Sequence, residues 1–299
     1  MKDVVIIGAG MAGLTAALYA ARKRMDFEIV SKDFGGQFMV SGHILNYPGI
    51  KSIAGDKLSK KMEEQMDYHG IEVESDTVKD VQKNGDNFKV NTDKEEYNAK
   101  SVIIATGSHA RKLDVKGEER LSKKGVTYCS ICDGPLFSGM DVAVVGGGNS
   151  ALEAVDFMKD IASKIYLVVL EDKLLGHEAL IENVEKNDKV EILYNAKTTE
   201  ITGEKLVDGL KYEQDGEKKK INVKGVIVEV GRIPNTKPFK NFVELDQHGH
   251  IQVDCQGRTS VEGVFAAGDC ASGHEYQYTI AAGQGCMALL KAARYLAKK

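Results

Sequence analysis

Two stretches of the chain share one hydrophobic pattern, in which a short apolar run leads into a glycine-rich turn and then a helical stretch. The first occupies residues 4–24 and begins with the β-branched run at residues 4–7. An apolar run without polar alternation is typical of a strand buried on both faces. The spacing of Gly8, Gly10 and Gly13 permits a tight turn, close approach of the backbone to a pyrophosphate and close helix-to-strand packing. These glycines are therefore predicted to bind a dinucleotide.

The same pattern returns near the middle of the chain, where residues 142–145 lead into a second turn and a helix that ends at Met158. Alanine stands at position 151, where the dinucleotide fingerprint permits it in place of the third glycine. Two independent occurrences of strand, glycine turn and helix predict two dinucleotide sites in one chain. The second site is predicted to include Gly146, Gly148, Asn149 and Ser150.

Two further apolar runs end in small residues. Residues 101–104 lead into Ala105, Thr106 and Gly107, and residues 263–267 lead into Gly268 and Asp269. The second of these runs precedes a long helical stretch, whose first turn is rich in small residues that let a helix N-terminus approach a flat ligand. Asp269 is a candidate ligand contact, with a turn or helix cap as the alternative interpretation.

The strand that follows each glycine turn ends differently in the two halves. Residues 27–30 end at Ser31, where many such folds place an acid for the ribose. Residues 165–170 end instead at Glu171 and Asp172. A carboxylate at this position accepts hydrogen bonds from a ribose 2′-hydroxyl and repels a 2′-phosphate.

Arginine, the side chain suited to a bidentate grip on phosphate, is missing around the second turn. No Arg occurs between Arg120 and Arg232. NADH is therefore the expected nucleotide at this turn and NADPH is disfavoured.

Length and charge limit the class of protein. With 299 residues and 42% apolar content, the chain can form two ordinary domains. The net charge is −4 and the lysines are scattered, which argues against nucleic-acid binding. No apolar stretch approaches the length of a membrane span, and residues 1–8 run into the first strand without a charged leader or cleavage site. We therefore expect a cytoplasmic protein without a membrane partner.

The cysteines predict redox chemistry at one pair. Of the five cysteines, only Cys129 and Cys132 lie close together in sequence; the others are expected to be mostly small buried residues. The pair is predicted to open a short helix with Cys132 in its first turn, and two intervening residues permit a disulfide that forms and breaks easily. A zinc site would need two further ligands nearby, so no metal site is expected. Asp133 is the candidate proton donor, with a helix cap as the alternative.

Seven motifs in a fixed order give the chain a family resemblance. They lie at residues 8–13 (GAGMAG), 34–37 (FGGQ), 46–49 (NYPG), 105–107 (ATG), 129–134 (CSICDG), 231–236 (GRIPNT) and 267–269 (AGD). In this order they resemble the low-molecular-weight thioredoxin reductases, which are class II FAD-dependent pyridine nucleotide-disulfide oxidoreductases. Residues 125–150 and 191–285 also resemble the catalytic part of the alkyl hydroperoxide reductase flavoprotein, a relative that carries an extra N-terminal redox domain.

The resemblance implies an α/β fold with two Rossmann-like, three-layer ββα domains, the second inserted into the first. It places an FAD-binding domain at residues 1–112 and 241–299, and a pyridine-nucleotide-type domain with the paired cysteines at residues 113–240. The further FAD-binding residues that it implies are Gly36, Gln37, Asn46, Gln277, Tyr278 and Thr279. Tyr276 departs from the family, which usually has Arg before this Gln.

The activity implied by the resemblance is reduction of a small protein disulfide, such as that of thioredoxin or a glutaredoxin-like protein, by a cytoplasmic homodimer. Cys132 would face the flavin, Asp133 would act as acid and base, and Cys129 would be the other sulfur. The alternative functions are the reductase component of a peroxiredoxin system and a flavin-based redox sensor. As in some members of the family, the electron donor could instead be ferredoxin or a deazaflavin. A ferredoxin-to-nicotinamide reductase is disfavoured because such relatives lack the cysteine pair.

Overall fold

The computed structural model describes residues 1–41, 43–44, 46–273 and 276–298. The chain divides into two compact units, which we call the first unit (residues 1–109 and 233–299) and the second unit (residues 110–232). The second unit is thus inserted into the first.

In chain order, the α-helices are α1 (Met11–Arg22), α2 (Gly55–Tyr68), α3 (Ser130–Asp133), α4 (Asn149–Met158), α5 (Glu178–Glu185) and α6 (Tyr278–Leu296). Short 3-10 helices lie at Gly36–Val40, Gly134–Phe137 and Lys237–Phe239. The strands are β1 (Val4–Ala9), β2 (Phe27–Phe34), β3 (His43–Ile44), β4 (Ile53–Ala54), β5 (Glu74–Ser75), β6 (Val78–Asn84), β7 (Asn87–Thr92), β8 (Glu96–Ala99), β9 (Val102–Ile104), β10 (Ser108–Ala110), β11 (Val126–Thr127), β12 (Asp141–Val145), β13 (Lys164–Val168), β14 (Val190–Leu193), β15 (Lys197–Thr202), β16 (Gly209–Gln214), β17 (Glu217–Ile221), β18 (Gly225–Val228), β19 (Arg232–Pro234) and β20 (Val264–Ala266).

A parallel five-stranded sheet forms the centre of the first unit, in the order β20-β9-β1-β2-β5. Val4 and Ile6 of β1 belong to the core cluster that α1 and α6 cover. Val5 and Ile7 belong to the cluster on the other face, beneath the antiparallel sheet β6-β7-β8. The strand is apolar at every position because both of its faces are covered.

The second unit repeats this design with the sheet order β11-β18-β12-β13-β14. Val142 and Val144 pack with α4 and α5, while Ala143 and Val145 pack toward the antiparallel sheet β15-β16-β17. Both units are therefore three-layer ββα arrangements around a parallel sheet. The expected fold class is confirmed.

Strand ends differ from the prediction in both halves. β2 continues to Phe34 instead of ending at residue 30, because its register shifts and Phe34 pairs with Ala9. β13 ends at Val168 rather than at residue 170, and Leu170 is already exposed.

The structural division lies at residues 109/110 and 232/233, whereas the sequence suggested 112/113 and 240/241. The reason at the second crossing is Phe239, which is fully buried among core residues of the first unit such as Val264. The 3-10 helix Lys237–Phe239 therefore belongs to the first unit.

Candidate nucleotide and disulfide sites

The first glycine turn joins β1 to α1, and two of its glycines are required by packing. A Cβ atom at Gly8 would lie 2.3 Å from the carbonyl oxygen of Ala105, and one at Gly13 would lie 1.7 Å from that of Gly8. Gly8 also has a φ of 108°, which favours glycine. Larger residues at these two positions would displace the backbone.

Gly10 differs from the other two glycines because, among the described residues, nothing lies within 4 Å of its Cβ position. It is the N-cap of α1 and makes no side-chain cap bond there, and the first turn of α1 contains no acidic residue. An uncapped helix N-terminus with an open approach suits a pyrophosphate. The turn therefore leaves open space beside the N-terminus of α1.

Predicted ligand residues from distant parts of the chain meet beside this turn. The Cβ position of Gly36 lies 3.3 Å from Cα of Gly10. Gln37 donates from Nε2 to the carbonyl oxygen of Ser108 at 3.1 Å, and the Ser108 hydroxyl donates to Oδ2 of Asp269 at 3.1 Å. Ser108 thus links two residues that sequence reasoning singled out separately.

The start of α6 adds a second group of predicted residues. Asn46 donates from Nδ2 to Oε1 of Gln277 at 3.0 Å. The Tyr278 hydroxyl donates to the carbonyl oxygen of Gln37 at 3.0 Å, makes a short hydrogen bond with the Ser41 hydroxyl, and its ring packs on Phe38. Thr279 is exposed in the first turn of α6.

Several of the predicted residues form hydrogen bonds with other groups of the protein. The Ser31 hydroxyl donates to the carbonyl oxygen of Asp33 at 2.7 Å. Thr106 and Asn235 exchange two hydrogen bonds, from the Thr106 hydroxyl and from Asn235 Nδ2, each of 2.8 Å. The N–H of Gly268 donates to Gln284 of α6 at 2.7 Å. The contacts of Thr106 and Gly268 fix the loops that follow β9 and β20, including the turn at Gly107.

Tyr276, which stands where the family usually has Arg, is held by a histidine. Its hydroxyl lies 2.9 Å from Nε2 of His250, and the two rings stack. His250 is buried and packs near Asp246. The side chain of Tyr276 is therefore fixed within the first unit.

The second glycine turn has the same internal geometry. A Cβ atom at Gly146 would lie 2.2 Å from the carbonyl oxygen of Glu229, while the position at Gly148 is open among the described residues. The buried Ala151 replaces the third glycine. Gly148 is the N-cap of α4, again without a side-chain cap bond, and Ser150 is exposed in the first turn.

The loop after β13 is tied to this second turn. Leu175 donates its N–H to the carbonyl oxygen of Gly147 at 2.8 Å, and His177 donates its N–H to Oδ1 of Asn149 at 2.8 Å. Oε2 of Glu171 consequently lies 3.6 Å from the Cβ position of Gly147. Asn149 thus anchors the loop, and Glu171 reaches the turn as an exposed carboxylate.

Cys129 and Cys132 form a disulfide at the start of α3. Cys129 is the N-cap of this helix, and its sulfur accepts a hydrogen bond from the N–H of Cys132 at 3.2 Å. The predicted short helix with Cys132 in its first turn is therefore confirmed. Cys132 is exposed and Cys129 is half-buried.

Asp133 is positioned by a residue that sequence reasoning missed. The Thr127 hydroxyl lies 2.5 Å from Oδ2 of Asp133 and accepts the N–H of Cys129 at 3.1 Å. The next residue, Tyr128, donates its hydroxyl to Oε1 of the buried Glu118 at 2.7 Å. Burial, followed by this hydrogen bond, raises the pKa of Tyr128 above its ordinary value. No local motif marks Thr127 or Glu118, because their roles depend on where β11 lies.

Comparison with known proteins assigns this arrangement to a family. The family model described as pyridine nucleotide-disulphide oxidoreductase matches residues 2–285. The chain belongs to this family. It is 40% identical to the thioredoxin reductase of Listeria monocytogenes, over 98% of this chain and 93% of that protein.

Two further comparisons extend the family assignment. The chain is 38% identical to an alkyl hydroperoxide reductase of Staphylococcus aureus over 98% of its own length, but it spans only 59% of that relative. The crystal structure of Lactococcus lactis thioredoxin reductase matches with a TM-score of 0.91 and 34% identity, covering 100% of both chains. The resemblance to this family is confirmed, as is its assignment to the oxidoreductases.

The family implies FAD and a nicotinamide nucleotide as cofactors. The residues present fit both, because each of the two turns offers an open glycine at an uncapped helix N-terminus.

No helix within the described ranges is long and apolar enough to cross a membrane. No group of three or more potential metal-ligating side chains occurs in those same ranges. Of the isolated cysteines, Cys270 is buried and Cys286 half-buried as expected, whereas Cys255 is exposed.

Proposed function

We propose that this protein is a thioredoxin-disulfide reductase, in which electrons pass from a nicotinamide nucleotide through FAD to the Cys129–Cys132 disulfide and then to thioredoxin or a glutaredoxin-like protein. The observation that carries this proposal is a disulfide at a helix N-cap, with a carboxylate beside it, in a chain that contains two dinucleotide turns. The thioredoxin reductase of Listeria monocytogenes supports the same partner.

The first turn is proposed to hold FAD and the second the nicotinamide nucleotide. When bound, FAD supplies the chemistry that converts a hydride into two electrons for a disulfide. Gly8, Gly10 and Gly13 would admit the pyrophosphate, while Gln37, Asp269 and Gln277 would accept or donate hydrogen bonds along the cofactor. Their mutual contacts through Ser108 and Asn46 orient these groups before the cofactor binds.

Asp133 is proposed to move a proton to and from the sulfurs. Reduction of a disulfide takes two electrons and two protons and leaves two thiols. Since Oδ2 of Asp133 accepts the hydroxyl of Thr127, Oδ1 is the oxygen that would carry the proton. We propose that Cys132 meets the flavin and that Cys129 is the other sulfur of the exchange.

NADH is the proposed donor because Glu171 lies at the second turn. The 2′-phosphate of NADPH would meet this carboxylate and that of Asp172, and no arginine lies nearby in sequence to pair with it. With a ferredoxin or deazaflavin donor the second turn would bind no nucleotide. Its Gly148 is nevertheless open in the same way as Gly10 of the first turn.

The proposal is tested by turnover of oxidised thioredoxin with NADH, NADPH or reduced ferredoxin as the donor, following the thiols formed. We expect turnover with NADH that is lost in Cys132→Ser and kept in Cys255→Ser, which removes an exposed cysteine outside the pair. A peroxiredoxin-system reductase would act on a peroxiredoxin-linked protein and not on thioredoxin. A redox sensor would show no turnover with any disulfide substrate.

A further inference from the structure

Glu229 lies at the second glycine turn, at a position where the dinucleotide-binding fingerprint does not include an acid. It follows β18, and its N–H donates to the carbonyl oxygen of Val145 at 2.8 Å. Its own carbonyl oxygen lies 2.2 Å from the Cβ position of Gly146. The backbone of Glu229 is therefore part of the surface on which the turn rests.

The first unit shows what this position requires for folding. There the equivalent residue is Ala105, which follows β9, donates to the carbonyl oxygen of Ile7 at 2.8 Å and lies against Gly8 in the same way. A methyl group therefore satisfies the turn. The carboxyl of Glu229 is not needed for the fold, and partly burying it has a desolvation cost.

The surroundings of Glu229 favour the neutral form of its carboxyl. Burial is the largest effect and raises its pKa to about 7, with Arg232 lowering the pKa and Glu153 of α4 raising it. Glu171 adds a further negative charge at the same turn, beside Gly147. Near neutral pH the group thus changes between a neutral acid, which offers one donor and one acceptor, and an anion, which only accepts.

The sheet order indicates which part of a nucleotide would meet Glu229. In sheets of this kind a dinucleotide lies across the carboxyl ends of the strands, with its pyrophosphate at the glycine turn. Glu171 follows β13 on one side of the turn, the side of the adenosine ribose, and Glu229 follows β18 on the other. The nicotinamide half of a bound nucleotide would therefore extend toward the β18 side.

Resting on the nucleotide site proposed above, we propose that Glu229 in its neutral form recognises the nicotinamide carboxamide. The carboxamide has one N–H₂ donor and one carbonyl acceptor, so it pairs with a neutral carboxyl through two hydrogen bonds. An ionised carboxylate loses the donor and faces the carbonyl oxygen of the amide with a like charge. Binding of the nicotinamide half therefore weakens as the carboxyl ionises.

The test measures binding by calorimetry with two probes on the FAD-loaded protein. Tetrahydro-NAD is a non-reactive analogue of the reduced nucleotide that keeps the carboxamide, and ADP-ribose lacks the nicotinamide. We expect tetrahydro-NAD to bind about tenfold more tightly at pH 6 than at pH 8, which corresponds to the loss of one hydrogen bond. ADP-ribose should bind with much less dependence on pH.

Three variants distinguish the hydrogen-bonding capacity of the Glu229 side chain from its negative charge. Glu229→Gln keeps a donor and an acceptor, so its affinity for tetrahydro-NAD at pH 8 should match that of the parent at pH 6. Glu229→Ala should bind tetrahydro-NAD weakly at both pH values and ADP-ribose normally. Glu153→Gln removes a neighbouring charge that raises the pKa of Glu229, so it should move the midpoint to lower pH and keep the affinity at pH 6.

Two results would overturn the inference while leaving the nucleotide site intact. One is an unchanged pH dependence for tetrahydro-NAD in Glu229→Gln, and the other is an equal loss of ADP-ribose and tetrahydro-NAD affinity in Glu229→Ala. Failure of the parent protein to bind ADP-ribose at all would instead reject the proposed nucleotide site, and this inference with it.

Discussion

The two glycine turns have one backbone design and different side chains around it. Gly8 rests on the carbonyl of Ala105 and Gly146 rests on that of Glu229, and in each turn the glycine two positions later is open. Ala105 places a methyl group beside the first turn, whereas Glu229 places a carboxyl beside the second. The fold therefore requires Gly8 and Gly146, and it requires neither the open glycines nor the acids.

Glu229 and Glu171 are consequently available to determine which nucleotide binds. The second strand of each unit also differs, since Ser31 lies within β2 and bonds to Asp33 of the same strand, while Glu171 follows β13 and reaches its turn. We expect the first turn itself to hold its nucleotide through backbone groups, and the second turn to discriminate among nucleotides by charge.

The largest expected effect comes from filling the two open glycines, since each substitution should abolish binding of a different nucleotide. In Gly10→Val the added side chain fills the space for the pyrophosphate, so FAD should be lost while the fold survives. In Gly148→Val the yellow colour should stay and ADP-ribose binding should be lost. Flavin absorbance after gel filtration and circular dichroism measure both.

The contrast with Gly8 provides the control for folding. Gly8→Val should unfold or aggregate, because its Cβ position already overlaps the carbonyl of Ala105. Retained FAD in Gly10→Val would show that the first turn does not bind the pyrophosphate.

The next effect concerns the disulfide, which only the second unit carries. Cys129→Ser and Cys132→Ser should each stop protein-disulfide reduction but leave flavin reduction by NADH intact, since the flavin is reduced first. Stopped-flow absorbance and thioredoxin turnover separate the two steps. Cys255→Ser is the matched control, and turnover at the parent rate in either pair variant would make the disulfide structural.

A smaller effect is expected at the carboxylate beside the disulfide. Asp133→Asn should slow reduction of the protein disulfide by about a hundredfold, which is typical for the loss of a general acid. Thr127→Val should slow it by about tenfold, because it removes the hydroxyl that orients Asp133.

Thr127→Ser keeps the hydroxyl and should restore most of the rate. The pH–rate profile should lose one limb in Asp133→Asn. An unchanged profile would assign Asp133 to helix capping, the alternative interpretation.

The smallest predicted effect lies in the choice of nucleotide. NADH should reduce the flavin about tenfold faster than NADPH, since the extra phosphate meets Glu171 and Asp172. Glu171→Arg should shift this ratio toward NADPH, whereas Asp188→Asn, a charge change at an exposed residue outside the turn, should not. A parent protein that prefers NADPH would contradict the charge argument.

Much of the fold could be predicted from the sequence because its signals are local. The runs at β1 and β12 and the glycines after them are readable as periodicity and turn chemistry. The division at residues 232/233 was not readable, since it depends on Phe239 packing among core residues that lie far away in sequence.

The site was predicted less completely because part of it depends on contacts between residues that are not adjacent in sequence. Cys129, Cys132 and Asp133 are adjacent in sequence, but Thr127, Tyr128 and Glu118 act through tertiary contacts. The Glu118 carboxylate also accepts the N–H groups of Leu113 and Asp114 at 2.9 and 2.7 Å, so the start of the second unit is tied to Glu118.

The proposed function requires one electron path within the chain, from the nucleotide at the second turn to FAD at the first turn and then to the disulfide. Anaerobic titration of the FAD-loaded protein with NADH, with absorbance and thiols counted together, tests it most directly. We expect the flavin to bleach and two new thiols to appear per chain; in the double variant Cys129→Ser, Cys132→Ser the flavin should still bleach but the new thiols should not appear. Bleaching without new thiols, or no bleaching by NADH at all, would contradict it.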